Sequence, residues 1–383
     1  MSFIPGECSI GVLGGGQLGK MLAQEASQLD LNIHFLDKNK NYPAGKVCPQ
    51  FMEGDFNSYD DVIRFGQDKQ ILTIEIEHVN TKALHELEQK GVLVFPQPAI
   101  LDLIKDKGSQ KTFYQKNNFP TAPFQLFETR EEIHEALKTG SIRIPFVQKL
   151  RAGGYDGHGV QVINSESELS LLLEGSCLIE NKADIEKEIS VIAVRGRDGE
   201  CKVYPAVSMD FHPIANLVEC LVCPAEIPNH IEVEAEQLAT HVADKLEIVG
   251  LLAVEMFLNK DGSLWVNEMA PRPHNSGHHT LDNGATSQFA NHLRAITGLP
   301  LGDTKFVQVA IMLNVLGEDG YSGKAIYQNI EKILGMEGVH LHLYGKDETR
   351  PFRKMGHVTL TDHELESCKL KAKFVAQTLK VIA

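Results

Sequence analysis

A chain of 383 residues is roughly two to three times the usual single-domain length, so more than one core is expected, and 43% hydrophobic with 23% charged residues excludes a disordered or fibrous polymer. Acidic residues outnumber basic ones by 51 to 37, a formal net charge of -14, which argues against a dedicated binder of nucleic acid or of a membrane surface. No apolar run approaches a bilayer span, no cationic segment precedes an apolar stretch at the start, and the seven cysteines follow no regular framework, so a soluble cytoplasmic protein with reduced thiols is expected.

The first hundred residues alternate strand and helix patterns. Ser9 to Leu13 is apolar, Leu18, Met21, Leu22, Ala26 and Leu29 recur at helical spacing over Gln17 to Leu29, and Ile33 to Leu36 is apolar again. Ile71 to Ile76 and Val92 to Phe95 extend this β-α-β opening into a predicted doubly wound parallel sheet. One helix is predicted from Ile100 to Lys116, stopped by Pro120 and Pro123. Patterns at Ile144 to Leu150, Glu166 to Leu173 and Cys177 to Glu180 make a small second domain. Beyond Glu188 the apolar runs Ile189 to Val194, Val203 to Val207, Leu217 to Val222, Leu251 to Leu258 and Leu264 to Val266 surround one helix, Ile231 to Leu246, predicting a mainly antiparallel third domain. The expected boundaries are 1–104, 105–184 and 185–383.

Gly14, Gly16 and Gly19 form G-x-G-x-x-G between a strand and a helix, and Asp37 ends the next strand, the context of a dinucleotide fingerprint. Any β-α-β unit that brings phosphate or backbone close to a helix N-terminus needs the same glycines, so both readings stand. Glu75 and Glu77 fall where the third strand emerges, which is either the ligand edge of an open α/β sheet or a solvated strand end. A second glycine-rich stretch, from Arg151 to Gly159, follows Lys149 and suits a flap over phosphate oxygens better than a plain hairpin loop.

A two-residue turn at Asp261-Gly262 sets Glu255 opposite Glu268, with Cβ atoms about 5 Å apart. Two partly buried carboxylates so placed need a shared proton or a cation, and oxygen-only ligation suits magnesium, with manganese as the alternative ion. A register one residue off would leave both exposed. The loop that follows carries Arg272, His274 and Asn275, a set that fits an anion held beside a phosphoryl donor. Zinc held by His274, His278 and His279 is the competing reading. Cys220 and Cys223 read as buried structural thiols, and Lys346, Arg350, Arg353 and Lys354 as either a solvated run or a holder of a phosphorylated substrate.

These residues resemble the ATP-grasp superfamily and, within it, the 5-(carboxyamino)imidazole ribonucleotide synthase family. The resemblance rests on Gly11-Val-Leu-Gly-Gly-Gly-Gln-Leu-Gly19, Glu75-Ile-Glu-His78, Pro120-Thr-Ala-Pro123, Gly153-Gly-Tyr-Asp-Gly157, Asn267-Glu268, Pro271-Arg272, His274-Asn-Ser-Gly-His278 and Arg353-Lys-Met-Gly-His357. It implies an α/β and α+β multidomain ATP-grasp fold behind a Rossmann-like pre-ATP-grasp domain that is not an NAD site. It implies a ligase of purine biosynthesis that carboxylates 5-aminoimidazole ribonucleotide with bicarbonate and ATP, through carboxyphosphate, and acts as a homodimer.

By the same resemblance ATP lies between the second and third domains. Lys149 and the residues Gly154, Tyr155, Asp156, Gly157, His158, Gly159 and Val160 would contact its phosphates, Glu180, Ala183 and Glu188 its adenosine end, and Glu255 and Glu268 the magnesium. Lys107, His212 and Asn267 match further positions near the nucleotide. Asp156, Arg272, His274 and Asn275 match those around bicarbonate and the reacting amine. Gly16, Gln17, Leu18, Glu75, Tyr155, Asp156 and His158 would face the ribonucleotide, and Lys346 and Arg353 its phosphate. Two departures stand out: Lys107 and His158 occupy positions where the family has arginine. A biotin-dependent carboxylase subunit, another ATP-grasp amine ligase, a nicotinamide-dependent oxidoreductase and a non-catalytic nucleotide-binding module are the alternative readings.

Overall fold

In the computed structural model, which describes residues 6–153, 159–211 and 217–383, the opening apolar runs pair as a parallel sheet. Its strands are β1 (Ser9–Leu13), β2 (Asn32–Asp37), β3 (Phe51–Glu53), β4 (Ile71–Ile74) and β5 (Leu93–Val94), in the order β3-β2-β1-β4-β5. Four of five β1 residues and all of β4 are buried because helices cover both faces. Helix α1 (Gln17–Gln28) packs on one face, and α2 (Tyr59–Gly66) with α3 (Thr81–Gln89) on the other. Strand order reverses between β1 and β4, so a crevice opens at their carboxyl ends.

The single helix expected over 100–116 is two, α4 (Pro98–Ile104) and α5 (Lys107–Lys116). Asp106 breaks it: its backbone is extended, and its carboxylate accepts hydrogen bonds from the N–H groups of Gly108 and Ser109, which caps a new helix. The next sheet is antiparallel, in the order β6-β9-β7-β8, built from β6 (Phe124–Phe127), β7 (Phe146–Leu150), β8 (Val160–Ile163) and β9 (Cys177–Asn181). Helix α6 (Arg130–Thr139), capped by Thr129 and ended by Gly140 at φ 73°, packs Ile133 and Ala136 against Phe127, Phe146 and Ile163.

A nine-stranded antiparallel sheet follows, built from β10 (Ile185–Arg195), β11 (Cys201–Val203), β12 (Val207–Phe211), β13 (Val218–Cys223), β14 (Gly250–Asn259), β15 (Leu264–Ala270), β16 (Val309–Leu316) and the strands Lys354–Asp362 and Val339–Leu343. The run expected as one strand from Val203 to Val207 is divided between β11 and β12, because Pro205 has no N–H for a ladder. Both pieces pair with β10, and Tyr204 between them buries its ring and donates its hydroxyl to Thr286 O. Helix α7 (Asn229–Leu246) packs Ile231, Ala235, Leu238 and Val242 on Val191, Leu252 and Val254 of this sheet. The parallel sheet is fastened to it where Met21 and Leu22 of α1 share a core with Phe289, Leu293 and Ile296 of the helix Gln288–Thr297. Among the described residues no helix is long and apolar enough to cross a membrane, and all seven cysteines are unpaired.

Candidate active site

Glu255 and Glu268 face each other across β14 and β15 as the turn signal predicts, but by another route. The turn holds three residues, since Asn259 and Ser263 are bonded across it and Gly262 takes φ 84°. Farther along, the ladder slips between Glu255 and Met256, leaving Asn267 as the extra residue of a bulge. The two offsets cancel and restore the opposition. Ser190 of β10 pairs with Glu255, so Glu188, two residues away on the same strand, shares the face of the two acids.

Burial, then the charges of Glu268 and Glu188, push the Glu255 carboxyl well above the usual carboxylate range. Desolvation also works upward on Glu268, but the Lys107 ammonium paired with it, and Lys149 behind, outweigh that and hold it low. Glu188 is pushed up to about 7 by burial, with Lys149 opposing and Glu268 adding. Three converging carboxylates, two of them with a raised proton affinity, form an oxygen-only donor set that fits a hard divalent cation.

Opposite them stand lysines. Lys107 and Lys111 lie one turn apart on α5 and so share a face. Lys107 pairs with Glu268, while Lys111 Nζ lies 2.6 Å from Glu180 Oε1. Lys149 on β7 reaches Glu180 Oε2 at 2.8 Å and donates to Asn267 Oδ1 at 2.7 Å, a contact the bulge makes available. Glu180, expected at the adenosine end, therefore has both oxygens engaged in ordering two lysines. Burial pushes it up, but Lys149 and Lys111 bring it below its usual value. Burial also drives Lys111 down to about 8, against the pull of Glu180. Ala183 sits in the segment joining β9 to β10, and Gly159, at φ 76°, leads into β8 at Val160. Gly154, Tyr155, Asp156, Gly157, His158 and His212 lie outside the described residues.

Beyond β15 the chain turns back under the parallel sheet. Arg272 Nε lies 2.7 Å from Glu77 Oε1, an ion pair between the two units. His274 Nε2 lies 3.4 Å from Glu255 Oε1, and burial, reinforced by Arg272 and Lys354, drives this imidazole down to about 3. Asn275 and Asn314 of β16 exchange amide hydrogen bonds at 3.0 and 2.8 Å. The glycine fingerprint is filled from within: Glu75 accepts from Gly16 N at 2.6 Å and Gly19 N at 2.7 Å, and Asp37 accepts from Gly15 N at 2.7 Å. A Cβ on Gly16 would lie 2.6 Å from Glu75 Oε1, which is why glycine stands there. The amides a dinucleotide phosphate would use are occupied, and the nicotinamide reading fails on that point. Gln17 and Leu18 open α1, and the Leu18 side chain belongs to the core.

Lys346 donates to Lys354 O at 2.6 Å and lies over the Tyr344 ring. Burial, then Arg353, Lys354 and Arg350, push it down to about 8 while Glu75 opposes them. The four cations thus gather at one place, with Arg353 braced by a bond to Glu348 O. The zinc reading finds no support: His278 packs on Phe289 and His357, and His279 bonds Asn283. Among the described residues one other group, Asp282, His342 and His357, has ligand atoms within 4.8 Å of one another. Its two imidazoles are stacked 11° from parallel, so their lone pairs lie in separate planes and do not converge on one ion. Lys111, Glu77, Asn314, Gln288 and Ser276 hold the site from outside the set expected to touch ligands, and only Glu77 and Ser276, inside motifs, had a sequence signal.

Two antiparallel sheets that meet over a cleft of lysines and paired carboxylates, behind a parallel sheet whose glycine loop is already filled, define an ATP-grasp enzyme. Models of the ribonucleotide synthetase pre-ATP-grasp domain, the ATP-grasp domain and the phosphoribosylaminoimidazole carboxylase C-terminal domain match residues 8–105, 112–289 and 310–371. The N5-carboxyaminoimidazole ribonucleotide synthase of Bacillus subtilis (strain 168) is 38% identical over 355 residues, 91% of this chain and 90% of its own. That of Aquifex aeolicus is 36% identical over 380 residues, 97% of each chain. The Thermotoga maritima N5-carboxyaminoimidazole ribonucleotide synthetase structure superposes with TM-score 0.90 at 38% identity, covering 98% of this chain and 99% of that one. The Aspergillus clavatus enzyme, solved with ADP and 5-aminoimidazole ribonucleotide, gives 0.88 at 30%, covering 97% and 98%. The chain belongs to the N5-carboxyaminoimidazole ribonucleotide synthase family.

Proposed function

We propose that this chain uses ATP and bicarbonate to carboxylate the exocyclic amine of 5-aminoimidazole ribonucleotide in purine biosynthesis, giving 5-carboxyaminoimidazole ribonucleotide, ADP and phosphate. The observation that carries the reading is one loop with two neighbours: His274 touches Glu255 of the acidic face and feels the charge of Lys354 from the cationic cluster. A phosphoryl donor on one side and a phosphorylated amine on the other would then meet at Arg272, His274 and Asn275.

Residues 1–104, 105–184 and 185–383 divide the work. Lys149, fixed by Glu180 and Asn267, and Lys107 neutralise phosphate oxygens of ATP as a bicarbonate oxygen attacks the γ-phosphorus and ADP leaves. Magnesium or manganese, held by Glu255 and Glu268 with Glu188 beside them, would supply charge neutralisation at the transferring phosphoryl group. Arg272, aimed by Glu77, steadies the resulting carboxyphosphate. Lys346 and Arg353 hold the ribonucleotide phosphate, with Gly16, Gln17 and Glu75 at its other side. The amine then attacks the carboxyl carbon and phosphate departs, in a cleft closed to water. The Gly154 to His158 stretch is assigned to cover the nucleotide phosphates and, through Tyr155 and Asp156, to meet the amine. The reading places a homodimer in the cytosol, as the family resemblance implies.

Purified protein should release ADP only when bicarbonate and 5-aminoimidazole ribonucleotide are both present. ADP release that ignores the ribonucleotide, or tight ATP binding without turnover, would overturn the assignment.

A further inference from the structure

The turn that carries His274 is held by more bonds than its length requires. Gln288, fully buried, pairs with the His274 backbone on both sides: its Oε1 accepts from His274 N at 2.9 Å, and its Nε2 donates to His274 O at 2.7 Å. With the backbone clamped, Ser276 orients the ring. Its backbone N–H donates to His274 Nδ1 at 3.3 Å, and its Oγ lies 2.9 Å from the same nitrogen. Behind it Ser190 of β10 places its own Oγ 2.9 Å from Ser276 Oγ, and both serines are 1% exposed.

A backbone N–H can only donate, so Nδ1 must present its lone pair, and a neutral ring then carries its one hydrogen on Nε2. Nε2 is the nitrogen that faces Glu255 Oε1 at 3.4 Å, and a carboxyl group offers an acceptor oxygen in either protonation state. We infer that Ser276, backed by Ser190, is a positioning residue that fixes His274 in its Nε2–H form, so that His274 serves the carboxylation as a hydrogen-bond donor to carboxyl oxygens and not as the acceptor of the amine proton. This rests on the reaction proposed above. The nitrogen–carbon bond forms, the carbon–oxygen bond to phosphate breaks, and the amine proton leaves on the released phosphate.

Nitrogen NMR of the full chain with 15N-labelled histidine reads the ring directly. The His274 signals, identified by their loss in His274→Gln, should show a bare Nδ1 and a protonated Nε2. Ser276→Ala removes the hydroxyl contact but leaves the backbone donor, so it should shift the Nδ1 signal while Nε2 stays protonated and lower turnover about tenfold, as loss of an outer-shell partner does elsewhere, whereas Ser276→Thr, which restores the hydroxyl, should recover both. The glutamine amide nitrogen falls near the place of Nε2, so His274→Gln keeps a donor but no base, and it should turn over about tenfold or more faster than His274→Ala. A proton found on Nδ1, a glutamine variant no faster than the alanine one, or Ser276→Ala with unaltered ring signals and turnover would each overturn the inference. Wild-type protein that releases no ADP with both substrates would defeat the functional reading instead, and the nitrogen signals would still decide the tautomer.

Discussion

Glu268 sits where two influences oppose each other, desolvation raising its proton affinity and the Lys107 ammonium lowering it. Replacing it by glutamine removes the like charge facing Glu255 and, under the proposed function, one cation ligand. Glu268→Gln should therefore fold normally yet lose about a hundredfold or more in turnover, a deficit that saturating magnesium does not repair. Turnover against magnesium concentration, with a thermal melt as control, checks this. Lys346 gives a second residue-level expectation. Its lysine value is lowered to about 8, so the ammonium form that attracts phosphate is present below that pH and is lost above it. The Michaelis constant for 5-aminoimidazole ribonucleotide should rise as pH passes about 8, and Lys346→Arg should flatten the rise because arginine stays charged. A constant that is flat with pH in the wild type would remove Lys346 from the phosphate site.

At the scale of elements, α5 is the piece whose orientation matters most, since it carries Lys107 and Lys111 toward the cleft. Asp106 both caps it and accepts the Arg151 guanidinium at 2.6 Å. Asp106→Ala should cost about 1 kcal/mol in a denaturant titration and weaken ATP binding as well, whereas Asp106→Asn, which still caps, should keep most of the stability. Periodicity alone ran through this boundary, because a side-chain cap inside an apolar repeat leaves the repeat intact. The β14–β15 hairpin was legible for a different reason. Asp261-Gly262 marks the turn and the acids mark the site, but nothing in the sequence announces the bulge at Asn267, which depends on partners supplied by other strands. The family resemblance placed Asn267 near the nucleotide, but its bond to Lys149 had no signal in the sequence.

Across the whole molecule, the parallel sheet reads clearly because apolar runs buried on both faces have no competing explanation. What joins it to the rest does not. Glu77 and Arg272 are far apart in the chain, as are Thr73 and His292, whose side chains bond at 2.8 Å in the interior, and no local spacing encodes such pairs. Glu77→Gln should leave the melting temperature nearly unchanged but lower turnover about tenfold, since Arg272 loses the partner that aims it. A fall in stability without a fall in turnover would show the pair to be a fastener only. Removing a lysine from the buried Glu180 cluster should do the reverse of the first outcome: Lys111→Met leaves Glu180 with Lys149 alone and should cost about 3 kcal/mol of stability by chemical denaturation.

The carboxylate of Glu75, seated on the amides of Gly16 and Gly19, is in effect a tethered anion. Attachment to the chain gives it an effective concentration on the order of millimolar or higher at those amides, and any free phosphate must compete with it there. The first domain thus has the strand, glycine loop and helix of a nucleotide cradle with its own carboxylate seated in it, and under the proposed reading a phosphorylated compound arriving at the crevice is left to the cations of Lys346 and its neighbours.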